Sequence, residues 1–226
     1  MSSARALELV GDPEIAARMV PLARLTEGRG RRPTGIAALD GLLGGGWPRG
    51  GLTELYGRRS SGRTAIVRAA LAAALAAGEA AALIDAGGTL DARALPRTGA
   101  PLWIRCAPDQ ALKAADLVIG AGGFGLVALD LCDAQLRIPD ASWMRLRHAA
   151  RAQGTTVLVT VPHPRLRSFA AAAIELDGAA SFLTDGVPLF SRLDVRAQAR
   201  RAARDDVPLT DEPRPSCVSL AFTCRS

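Results

Sequence analysis

Residues Gly57-Arg58-Arg59-Ser60-Ser61-Gly62-Arg63-Thr64 constrain this chain more than any other stretch. They set out the Gly-x-x-x-x-Gly-x-Thr frame of a phosphate-binding loop, with Arg63 where such loops carry lysine. In that frame backbone N–H groups curl around phosphate oxygens, and the glycines supply the dihedrals. The following helix then presents its positive end to the anion. Gly57, Ser60, Ser61, Gly62, Arg63 and Thr64 are therefore the candidate nucleotide contacts, with ATP and Mg²⁺ as the ligands if the loop still binds. Thr64 keeps the hydroxyl that holds Mg²⁺. Arg63 keeps a charge, but its planar fork is not equivalent to a compact ammonium at a tight phosphate site. Two explanations compete for it: the hydrolytic site has been lost or weakened, or the chain has drifted towards arginine everywhere. Of 28 Lys and Arg residues only Lys113 is lysine.

The context of the loop is that of an α/β nucleotide-binding core. Residues 51–56 form a β-prone run entering the loop. Thr64 to Ala77 is rich in Ala, Leu and Val with no Pro or Gly, which predicts a helix, and Gly78 is its expected cap. Ala80 to Asp85 reads as a buried strand. Gly125 to Asp130 is an apolar run ending in a carboxylate, as in a buried parallel strand whose terminal Asp130 reaches a Mg²⁺ shell. The plainer reading of Asp130 is a turn residue after a core strand.

These residues carry a family resemblance. Residues 34–40, then 43–50, then 53–57 resemble the approach to the phosphate loop in bacterial RecA recombinases. Ser60-Ser61-Gly62 is similar to the RecA form of the loop, and residues 83–86 are similar to the next strand. The resemblance is specific from about Thr34 to Leu90 and looser through Asp130 and the run at 156–160. It implies an α/β fold: a RecA-like P-loop NTPase core with a mainly parallel central sheet flanked by helices, preceded by a small N-terminal helical segment. The expected division is 1–33, a helical segment with a basic linker, and 34–226, the RecA-like domain.

The departures are as informative. RecA-like ATPases carry a catalytic glutamate just after the strand resembled by 83–86, and here that place is Gly87. RecA has an Asn-Gln pair at the end of a later strand, and here Thr160 and Val161 lie about there. Its two DNA-gripping loops are shortened to 131–139 and 161–168. A degenerate RecA-like chain of this kind resembles the ImuA family. That resemblance implies an accessory role in SOS-induced, mutagenic translesion synthesis during DNA repair. It also implies three partners: an ImuB-like Y-family polymerase subunit, RecA, and an error-prone C-family polymerase. On this reading no residue has a catalytic role. The alternative is an active RecA/KaiC-like, DNA-dependent ATPase of recombination or repair.

Bulk properties set wider bounds. The formal net charge is +6 and the pI about 10.0, which favours weak affinity for polyanions such as DNA. The alternative source of this charge is composition bias. Cys106, Cys132, Cys217 and Cys224 lack metal-ligand spacing, and the two histidines form no site with them, so reduced thiols in a cytoplasmic protein are expected. No signal-like or membrane-length apolar segment is evident, so no membrane partner is expected.

The candidate DNA contacts are Arg165 and Arg167, at the place of RecA's second DNA loop, and Arg192, Arg196, Arg200 and Arg201. The last group lies in a stretch with two readings. Leu193, Val195 and Ala197 alternate with polar residues as in a strand, whereas Arg192, Arg196, Arg200, Arg201 and Arg204 line up as a helical stripe. The linker 27–33 reads as a solvated hinge or a DNA contact. Helical patterning covers 4–25, a helix is expected at 109–117, and a turn at 120–123. A basic amphipathic helix is expected at 141–153 with Trp143, Leu146 and Ala150 inward. Strands are expected at 102–104, 171–176, 189–196 and 217–223, with a polar loop at 205–215.

Overall fold

The computed structural model describes residues 30–88, 90–91, 95, 99–131, 136–183, 189–201 and 216–223. The expected helical segment at 4–25, the loop at 205–215, Cys132, Cys224 and Arg204 lie outside the described residues.

Among the described residues, ten strands and four α-helices make an α/β architecture. Strands β1 (Arg31–Arg32) and β2 (Trp47–Pro48) pair as a small antiparallel clip. The remaining eight are β3 (Leu52–Tyr56), β4 (Ala80–Ala86), β5 (Leu102–Cys106), β6 (Phe124–Asp130), β7 (Thr156–Val161), β8 (Ala170–Leu183), β9 (Leu189–Arg201) and β10 (Cys217–Thr223). They form one sheet in the order β10-β9-β8-β3-β7-β6-β4-β5. From β8 to β5 all neighbours run parallel, while β9 and β10 are added antiparallel. The mainly parallel sheet flanked by helices is the architecture expected.

Two apolar layers sandwich the parallel strands. Helices α1 (Ala37–Leu43) and α2 (Arg63–Ala76) cover one face. There Leu39, Leu42, Ile66 and Leu71 meet Leu55, Leu83, Leu126 and Leu158. Helices α3 (Ala111–Ala121) and α4 (Asp140–Gln153) cover the other, where Ile119, Trp143 and Leu146 meet Ile84, Val127, Leu129 and Val159. Alternate residues of one strand therefore serve opposite layers, which is why β4, β6 and β7 read as nearly continuous apolar runs. Helix α2 buries Ile66, Val67, Ala70, Leu71 and Ala74, one stripe at helical spacing. It ends at Ala77, and Gly78 leaves the helix with φ +74°.

One ambiguity is resolved and three expectations need correction. The arginine-bearing stretch after 189 is the strand that its alternation predicted, continued through Arg201. Its pairing with β8 and β10 on either side supplies the ladder that local helical propensity cannot outweigh. Strands β8 and β9 are also longer than expected, because each extends the other past the end of β3. Helix α3 runs to Ala121, so the turn starts at Gly122, which has φ +75°. The basic linker is not a free hinge at its end, since Arg32 is 3% exposed and ion-paired with Glu79.

Candidate functional site: the phosphate loop and its surroundings

The loop 57–64 joins β3 to α2 at the carboxyl edge of the parallel strands, as its frame demands. Gly57 donates its N–H to the carbonyl of Val161 (3.4 Å) and Ser61 to that of Arg58 (3.2 Å). Gly62 has φ +94° and starts α2 without any side-chain cap, and the first turn carries no acid. The amides at this end thus keep the positive pole of a 14-residue helix for an outside anion. Ser61 is 3% exposed and its hydroxyl has no hydrogen-bond partner among the described residues. An uncapped helix end beside an orphaned buried hydroxyl fits a phosphate group. Thr64 is exposed at the first turn, and Asp130 ends β6 at the same edge, 9% exposed. Thr64 and Asp130 are the residues that would hold Mg²⁺, whose chemistry is to neutralise phosphate charge.

The loop has a backing that its own sequence does not reveal. Strand β8 runs on beyond its last pairing with β3, Tyr56 with Glu175, and passes beneath the loop. A Cβ on Gly57 would strike the carbonyl oxygen of Leu176, and one on Gly62 would strike the Val195 side chain. A Cβ on Gly178 would lie 2.5 Å from the Ser60 carbonyl oxygen and 2.9 Å from the Ser61 Cα. Gly57 and Gly178 thus let the loop and β8 touch backbone to backbone, and Gly62 makes room for the Val195 side chain of β9. Ser60 takes φ +61°, an uncommon conformation for a residue with a side chain.

The groups expected for hydrolysis are rearranged. Gly87 follows β4 with φ +116°, and its N–H is donated to the Cys106 carbonyl. It offers no carboxylate. Asp85, two residues earlier, is fully buried and accepts from the Leu90 amide (3.4 Å), with the Arg105 guanidinium 4.0 Å away. The Thr160 hydroxyl donates to Asp130 Oδ1 at 2.5 Å. One of the two Asp130 carboxylate oxygens is therefore already in a short, buried hydrogen bond.

Of the expected DNA contacts, Arg196 and Arg200 line one cleft together with His163 and Pro164 of the segment before Arg165. Arg165 turns its guanidinium to the Leu136 carbonyl (2.6 Å), tying the segment after β7 to the connector after β6. Arg167 is exposed with φ +47°. Arg192, Arg196 and Arg200 share one face of β9, and each is engaged there. Arg192 pairs with Asp194 (2.6 Å), Arg196 donates to the Cys217 sulfur (3.1 Å), and Arg200 grips Glu175 (2.5 Å). Arg201 pairs through its backbone with Ala173, and its side chain lies outside the described residues.

Beside the loop opens a polar cleft of about 510 Å³. Tyr56, Arg58, His163, Glu175, Arg196 and Arg200 line it. Burial first, then the Glu175 charge, pushes the Tyr56 phenol above its ordinary value, so it stays protonated near neutrality. Sequence reasoning missed this cleft and missed Glu54, a buried carboxylate on β3. The signal available for Glu54 was a charge inside an otherwise apolar strand. Cys106 and Cys217 are free thiols. Among the described residues no cluster could hold a metal through His, Cys, Asp and Glu, and no helix is long and apolar enough to cross a membrane.

Comparison with known proteins places these features in a family. The family model of the RecA N-terminal domain matches residues 28–142. Protein RecA of Francisella philomiragia is 40% identical over 104 residues, covering 43% of this chain and 29% of that protein. Protein RecA of Clavibacter michiganensis is 42% identical, with the same coverage of both chains. Protein RecA of Mycobacterium marinum is 43% identical over 104 residues, covering 43% of this chain and 30% of its own. The chain spans under a third of the length of these curated relatives.

Proposed function

The chain belongs to the RecA N-terminal domain family, and from that premise we propose that it acts by binding partners and not by turning over ATP. In this reading it is an ImuA-like accessory protein of the SOS response. It supports mutagenic translesion synthesis by engaging an ImuB-like polymerase subunit and RecA, with weak contact to DNA.

The observation that carries the reading is the state of the hydrolytic edge. Water attack on a phosphoanhydride needs a group to orient and deprotonate the water. Gly87 stands in that place with only a backbone N–H, already used on Cys106. Asp85 is turned inward. The Thr160 hydroxyl occupies an Asp130 oxygen, and a hydroxyl is no base near neutrality. Arg63 adds a guanidinium where a compact ammonium is needed. A RecA-like surface without the groups that complete a neighbour's site would cap a RecA filament.

Two experiments test this. The ImuB-like subunit is expected to co-purify with the chain from DNA-damaged cells. An excess of purified chain is expected to depress strand exchange by RecA, and unaffected exchange removes the capping role. Thr64 and Asp130 favour a second reading, a DNA-dependent ATPase that keeps its Mg²⁺ ligands. Steady-state phosphate release with single-stranded DNA decides between them. Recombinase-like turnover that vanishes in Asp130→Ala establishes the enzyme and ends the binding-protein reading.

A further inference from the structure

Glu54 is a charged residue in the middle of β3, the strand that feeds the phosphate loop, and it is 2% exposed. Across the sheet its register partners are Val159 and Ala173, which offer it nothing polar. A buried carboxylate in such surroundings is costly unless fixed donors meet it. The donors are two consecutive backbone amides. Arg165 N–H reaches Glu54 Oε1 at 2.5 Å and Leu166 N–H reaches the same oxygen at 2.9 Å.

The segment supplying them leads straight into a tight turn. Leu166 lies in the right-handed region (φ −75°, ψ −20°), and Arg167 follows in the left-handed region at φ +47°. The turn holds a side-chain-bearing residue at positive φ, a conformation that persists only where its surroundings enforce it. Leu166 is fully buried in the layer shared with β7 and α4, and so anchors the turn from beneath. The Arg165 side chain then carries the connection on to the Leu136 carbonyl.

We propose that Glu54 is a positioning residue that locks the segment after β7 to the phosphate-loop strand, and through Arg165 recruits the connector after β6. A chain of contacts runs from β3 through the Glu54 carboxylate and the amides of 165 and 166 to the Arg165 guanidinium and Leu136. Pro162, His163 and Pro164, one wall of the polar cleft, precede the lock directly. Displacement of β3 at the phosphate loop is thereby transmitted to that wall. The lock does not depend on whether the loop binds nucleotide or on any partner, so its test stands apart from the functional reading.

Hydrogen exchange and NMR of the full chain test it. The amides of Arg165 and Leu166 lie outside regular ladders, yet they are expected to exchange as slowly as those of β7. Glu54→Gln keeps the shape but replaces one acceptor by a donor. It is expected to speed both amides by about tenfold, the scale of a hydrogen bond to a charged group, while Val157 and Val159 keep their rates. In the unmodified chain the two amide proton shifts are expected to follow the titration of the Glu54 carboxyl carbon. This second measurement holds even if the variant fails to fold. The charged and titratable groups facing the carboxylate are Arg165 and Tyr56, and burial pushes the Tyr56 phenol further above the acid range used. Fast exchange of both amides in the unmodified chain, or shifts indifferent to Glu54, would overturn the proposal.

Discussion

The parallel half of the sheet and its antiparallel ribbon share one continuous ladder but treat charge in opposite ways. Around β3, β4, β6 and β7, layers of helix cover both faces, and the carboxylates taken inside, Glu54, Asp85 and Asp130, each meet specific donors. Glu79, with Arg32 and Arg49 on it, clips the β1–β2 pair to the start of β4. Burial, with the Arg49 charge adding to it, pushes the Arg32 guanidinium down to about 9, and the Glu79 carboxylate is what makes so costly a burial tolerable. On the ribbon, no helix among the described residues lies over the face of β9 bearing Arg192, Arg196 and Arg200. The ion pairs of this face are exposed, screened and easily exchanged for other partners. The difference separates a buried scaffold from an exposed surface: the first half holds the phosphate loop in place, and the second carries charge in water.

The sharpest way to break this contrast is to strike the buried cluster. Glu79→Ala leaves Arg32 and Arg49 without their carboxylate and is expected to cost about 3 kcal/mol or more in urea unfolding. A loss as small as that of a surface pair would erase the distinction. Next comes the seam where the two halves meet. Gly178→Val drives side-chain atoms into Ser60 and Ser61, with an expected loss of about 2 kcal/mol. Pyrophosphate binding, if titration detects it in the parent, should fall as well. Thr160→Val removes a donor from the buried Asp130 carboxylate and is expected to cost about 1.5 kcal/mol in the same unfolding assay.

A pH series sharpens the comparison from another side. Burial raises the Glu54 carboxyl above its ordinary 4.5, against the opposing pull of two backbone amides and Arg165. A group titrating higher in the fold than in the unfolded chain stabilises the fold fully below the unfolded value, and that contribution is lost as pH rises through the folded value. The stability of the parent relative to Glu54→Gln should therefore decline as pH rises from 4.5 towards neutrality, read from urea midpoints. A flat difference places Glu54 in water. The smallest effect belongs to the ribbon: Arg200→Ala should leave the urea midpoint nearly unchanged. Its consequence should appear instead in salt-dependent binding of a single-stranded oligonucleotide.

Much of this molecule was legible before any coordinates. Strands β3, β4, β6 and β7 and helix α2 stand close to where apolar runs and the Gly-x-x-x-x-Gly frame put them, because residues buried on both faces leave a nearly continuous signal. The ribbon was ambiguous for a physical reason. Arginines at 192, 196 and 200 are spaced by four, a separation that shares one face in a strand and nearly one face in a helix. Only pairing with β8 and β10 settles it. The polar links were not legible at all. Nothing local to Glu54 points to amides at 165 and 166, and nothing local to Arg32 points to Glu79, because such contacts join residues far apart in the chain.

Sequence alone settled the α/β architecture, the position of the phosphate loop and the absence of a carboxylate at Gly87, since periodicity, glycine spacing and residue identity are one-dimensional quantities. The tertiary structure decided which charges are buried together, that Thr160 closes on Asp130, and that the ribbon passes beneath the loop. Those outcomes depend on which distant backbones the sheet brings within hydrogen-bonding reach, and a hydrogen bond is decided by a distance and an angle in space.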